Sequence, residues 1–207
     1  MPDHAENGIR TFPVIIQGGD TRLAALGRAG DEFVLVLAQD AARKEETDSG
    51  NGILTSLSVL VSEDPFPGLT MDGRQMIWVK NYSENAGLLE QLEQARVLRP
   101  TGSTIPQGLV RLPMAVVVPD ESEMAHRCAL DGCERFESVE TAPRFKRCSL
   151  CKRRYYCSTE HQHAHWARHK KDCKDLTAGR YTQVEQRRRA QDELPAPARV
   201  EELAEGS

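Results

Sequence analysis

All six cysteines of this 207-residue chain lie between Cys128 and Cys173. Scattered cysteines are commonly core residues, whereas confined ones usually share a task. The N-terminus, MPDHAENGIR, has no basic flank followed by an apolar core, so it does not read as a secretory signal. No apolar run approaches the roughly 20 residues needed to cross a bilayer. A cytoplasmic or nuclear setting follows as the expectation. Thiols there stay reduced, and clustered cysteines most often bind metal.

The spacing sharpens this. It reads Cys128-x4-Cys133, x14, Cys148-x2-Cys151, x5, Cys157-x3-His161, x7, His169-x3-Cys173. A structural Zn²⁺ takes four N or S ligands in a tetrahedron. Six cysteines and two histidines make two complete sites with none left over. A CxxC pair grips one ion from a tight turn. An i, i+4 pair on a helix puts both side chains on one face, which suits Cys157/His161 and His169/Cys173. His165 lies midway between His161 and His169 in sequence, so spacing does not exclude it. His126, close to Cys128, is a second rival to His161. Counting favours leaving His165 out, because a ninth ligand has no site to complete. By spacing alone, neighbouring pairs could equally share an ion.

Tyr156-Cys157-Ser158, Gln162, Trp166, and His169-Lys170 with Cys173 resemble the second half of a MYND-type zinc finger. Cys148-Ser-Leu-Cys151 and the leading Cys128/Cys133 complete the pattern. The resemblance covers about 46 residues. Two departures stand out: His161 replaces the usual cysteine, and the first pair is spaced x4 rather than x2. The family interleaves its ligands, and this implies the pairing. Site 1 would be Cys128, Cys133, Cys157 and His161; site 2 would be Cys148, Cys151, His169 and Cys173. The resemblance also implies two structural zinc ions and a protein or peptide partner, often containing proline.

Around this pattern the sequence divides into an α+β chain. Residues 1–10 read as a flexible tail. Residues 11–118 read as a small mixed domain. Its expected strands are 11–17, 32–38, 53–61, 75–80 and 109–118, with Pro113 marking an edge or a bulge. A helix over 83–98 places Leu88, Leu89, Leu92 and Ala95 on one face, with Pro100 as its stop. Residues 119–125 read as a linker, 126–176 as the compact finger, and 177–207 as a disordered charged tail. Residues 11–118 hold no GxSxG, P-loop or GxGxxG motif and no catalytic Cys or His constellation, so no enzyme activity is expected.

Charge divides the chain as well. Residues 144–174 carry ten Lys or Arg against two Asp or Glu, in a chain of net charge −4. Such a basic surface admits a nucleic-acid partner. Six thiolates and two zinc ions lower the local excess, so nucleic acid ranks below protein as a partner.

Overall fold

The computed structural model describes residues 3–4, 8–16, 19–30, 32–38, 53–59, 61, 70–139 and 143–180. The expected tail beyond residue 180 lies outside these residues.

The chain builds two antiparallel sheets that enclose the main core. The first contains β1 (Asp3–His4), β2 (Arg10–Ile15), β3 (Thr21–Ala29), β4 (Glu32–Leu37) and β5 (Ile53–Ser56), in that spatial order. The second contains β6 (Thr70–Met71), β7 (Arg74–Trp78), β8 (Leu98–Gln107) and β9 (Val110–Val117), in the order β6-β7-β9-β8. A helix, α1 (Leu88–Gln94), packs Leu88, Leu89 and Leu92 into the space between them. Phe12, Phe33 and Leu35 meet them from the first sheet, and Leu98 and Val117 from the second.

Several expectations change here. The expected flexible tail is partly held: Asp3–His4 pairs with β2, and Ile9 is wholly buried. The expected helix over 83–98 shrinks to α1. Ser83–Asn85 form a separate 3-10 turn, and Gly87 at φ 78 blocks a continuous helix between them. The helix ends before Pro100. Arg96 turns the chain at φ 56, and the Arg10 guanidinium donates to the carbonyls of Ala95 and Arg96 at 2.6 and 3.2 Å. Cations are favoured at that end of a helix. Leu98 therefore starts a strand, and Pro100 sits inside β8. Pro113 lies in β9, an interior strand, opposite a register shift in β8 between Pro100 and Thr104. It marks a bulge but no edge.

β3 is the largest addition to the sequence reading. It is central to its sheet, pairing with β2 along one side and β4 along the other. A Cβ at its Gly27 would press on the side chains of Val36 and Val34 and on the ring of Phe136, so a larger residue there forces them to shift.

Residues 119–125 are not a loose linker. Asp120–Glu123 form a 3-10 turn in which the Asp120 N–H donates to Glu123 at 2.8 Å. Met124 joins the main core, and β10 (Ala125–His126) pairs in parallel with Gly27 and Arg28 of β3. The first sheet thus runs directly into the cysteine region. That region holds a two-stranded ribbon, β11 (Lys146–Arg147) with β12 (Tyr155–Tyr156), and the long helix α2 (Thr159–Thr177).

Candidate metal centres

Two loops and one helix bring the cysteines and histidines together. The Arg127–Phe136 bridge closes the first loop, which carries Cys128 and Cys133. The β11–β12 ribbon closes the second, which carries Cys148 and Cys151. Ser158 caps α2 by accepting the His161 N–H at 3.2 Å. Cys157 therefore precedes the helix rather than sharing its face. His161 sits in the first turn, and His169 and Cys173 sit eight and twelve residues further along. At about 1.5 Å per residue, the two parts of α2 lie about 12 Å apart.

The ligand atoms of Cys128, Cys133, Cys157 and His161 lie within 4.8 Å of one another, as do those of Cys148, Cys151, His169 and Cys173. Zn–S bonds of about 2.3 Å and Zn–N bonds of about 2.05 Å at tetrahedral angles require S···S near 3.8 Å and S···N near 3.6 Å. In the first group Cys133 and Cys157 Sγ are 3.9 Å apart. His161 Nδ1 is 3.6 Å from Cys128 Sγ and 3.2 Å from Cys157 Sγ. In the second, Cys148 and Cys173 Sγ are 3.9 Å apart. His169 Nε2 is 3.5 Å from Cys151 Sγ and 3.4 Å from Cys148 Sγ. A disulfide would need about 2.05 Å. The two sites use opposite imidazole nitrogens, which spacing does not reveal.

Electrostatics also fit a dication. Burial pushes the Cys128 thiol up, but N–H groups of Cys157 and Leu130 and the side chains of His161 and Cys133 outweigh it and bring it down to about 7. Burial and the neighbouring Cys128 and Cys133 push Cys157 up to about 12. In the second group, burial and the adjacent Cys151 and Cys148 push Cys173 up to about 12. Each cluster thus lacks the positive charge that would let all its thiols ionise, and a Zn²⁺ supplies it. Burial, then the charges of Arg154 and His165, hold His169 down at about 4, with Asp172 opposing them. Its imidazole is neutral at pH 7, with Nε2 free to coordinate. Its buried Nδ1 has no hydrogen-bond partner among the described residues.

The two rival histidines have other partners. His165 Nδ1 lies 3.1 Å from the Tyr156 hydroxyl, and its ring stacks on His169. Tyr156 is wholly buried; burial, with the Cys148 and Cys151 charges, raises its hydroxyl well above the ordinary value. It keeps its proton as a donor. His126 has Glu137 at Nδ1, 2.8 Å, and Glu121 at Nε2, 2.9 Å, and it stacks on Tyr155. Glu137 also accepts from Arg144 Nε and the Phe145 N–H, at 2.9 and 2.8 Å. This buried network joins the sheet to the finger. No motif spacing announces it, although Asp120-x-x-Glu123 carries a turn-start signature.

No curated protein and no solved structure gives a significant match to the chain. Residues 128–173 match the family model of the MYND finger. With eight ligands gathered into two interleaved groups, that segment is a MYND-type zinc finger.

Proposed function

We propose that this chain is an intracellular adaptor whose finger binds a protein or peptide partner, and whose zinc ions are structural. Four protein ligands close each site, whereas a catalytic zinc keeps a position for water. No enzyme activity is assigned to residues 11–118. The observation that carries the interaction reading is the exposed apolar surface beside the second site. Trp166 is 40% exposed, with its ring set edge-to-face with that of His169, and Leu150, between Cys148 and Cys151, is 62% exposed. Aromatic anchors of this kind commonly dominate interfaces. A proline-containing peptide suits an aromatic surface.

The basic surface supports nucleic acid less well. Arg144 is committed to Glu137 and to the carbonyls of Ser122 and Met124, and Arg168 pairs with Asp131 at 2.6 Å. Fluorescence polarisation of the zinc-loaded chain against a library of proline-containing peptides tests the proposal. Saturable binding that Trp166→Ala weakens about tenfold or more supports it. Absence of binding across the library, with tight salt-sensitive DNA binding instead, contradicts it.

A further inference from the structure

A cup of about 190 Å³ lies where the first cysteine loop meets the β3–β4 turn and the residues before β12. Four arginines line it, Arg28, Arg127, Arg153 and Arg154, together with Tyr155 and one carboxylate, Asp131. Asp131 is already paired with Arg168. Arg28 bonds Glu121 and the Gly30 carbonyl, and Arg153 contributes to the field on Glu121.

The other two arginines differ. Among the described residues the Arg127 guanidinium bonds only through Nε, to the Cys133 carbonyl at 3.3 Å. Arg154 is 5% exposed, and among the described residues its guanidinium makes no hydrogen bond or ion pair. Its guanidinium nitrogens are not sealed from solvent, so their donors stay available to a ligand. Three thiolates and an imidazole around a zinc ion leave one net negative charge nearby, and Arg154 does act electrostatically on His169. That attraction helps to hold the side chain but occupies none of its five N–H donors.

We propose that this cup is a binding site for a phosphate monoester or free phosphate, held by Arg127 and Arg154. Guanidinium forks match tetrahedral oxyanions two bonds at a time, and two forks suit a doubly charged anion. The cup is smaller than the roughly 300 Å³ at which drug-sized sites begin. It therefore takes the phosphate and a short ester arm rather than a nucleotide. The site is independent of the Trp166 surface.

Calorimetric titration of the full zinc-loaded chain with inorganic phosphate and with O-phosphoserine tests the proposal, with zinc content measured before and after. Saturable binding is expected for at least one of them. Arg154→Ala and Arg127→Ala should each weaken it about tenfold or more while two zinc ions are retained. Should Arg154→Ala release zinc, Arg127→Ala alone decides. Tighter binding of O-phosphoserine marks a phosphorylated side chain as the natural ligand; tighter inorganic phosphate marks a free anion. No saturable heat with either ligand, or binding that Arg127→Ala leaves unchanged, overturns the site.

Discussion

The sheets and the finger hold themselves together by different means. The sheets bury Phe12, Phe33, Leu35, Leu92 and Leu98 in one continuous core. The finger's buried cluster consists chiefly of its own cysteines with Tyr156 and Leu176. One region gains its stability from removing apolar surface from water; the other has little such surface to remove. Its fold must come from coordination, which contributes about 10–16 kcal/mol per structural zinc site in finger peptides. Metal-dependent folding should therefore stop at the seam where β10 joins β3.

The strongest way to break this comparison is to remove the metal. Chelation should abolish hydrogen-exchange protection across residues 128–176 and leave β2, β3 and β4 protected. Equal loss in both regions would show one cooperative unit. The converse comes next. Phe33→Ala removes a wholly buried ring and should cost about 3–5 kcal/mol in denaturant unfolding of the sheets. Two zinc ions should remain bound under native conditions.

The seam itself is tested through Glu137. Burial raises its carboxyl, but hydrogen bonds from His126 and Arg144 outweigh that and hold it below the ordinary 4.5. Glu121 is brought down to about 2; burial opposes the shift, and His126 and Arg28 drive it. A depressed folded-state value stabilises above the unfolded value. That contribution is present above about pH 4.5 and is lost as pH falls towards 2. Glu137→Gln breaks a buried pair and should cost about 3–5 kcal/mol at pH 7. The gap from wild type should narrow below pH 4.5. A gap unchanged across that range would remove Glu137 ionisation from the seam. Gly27→Ala is the mildest change. It presses a methyl against Val34, Val36 and Phe136 and should cost about 1–3 kcal/mol, read as a lower unfolding midpoint.

How much was legible follows the same divide. Ligand chemistry is written in residue type and interval, so the eight finger positions stand out in sequence. The likeness to a known finger supplied their pairing. Apolar packing is written less locally. β3 runs TRLAALGRA, and alanine and glycine are poor strand formers. Gly27 sits there because Val34, Val36 and Phe136 approach closely, a tertiary cause that no local pattern shows. Residues 119–125 read as a linker because they are short and acidic, yet Glu121 faces Arg28 and His126. Asn85, inside a short polar run, carries no interval that marks it as a core residue. Yet it is wholly buried, accepting from the Thr55 hydroxyl at 2.7 Å and donating to the Ser56 carbonyl at 2.8 Å.

Zinc stoichiometry by native mass spectrometry tests the central claim most directly. Wild type should carry two ions, His161→Ala should fall towards one, and His165→Ala should keep two. Two ions retained by His161→Ala, or one lost from His165→Ala, would contradict the interleaved assignment.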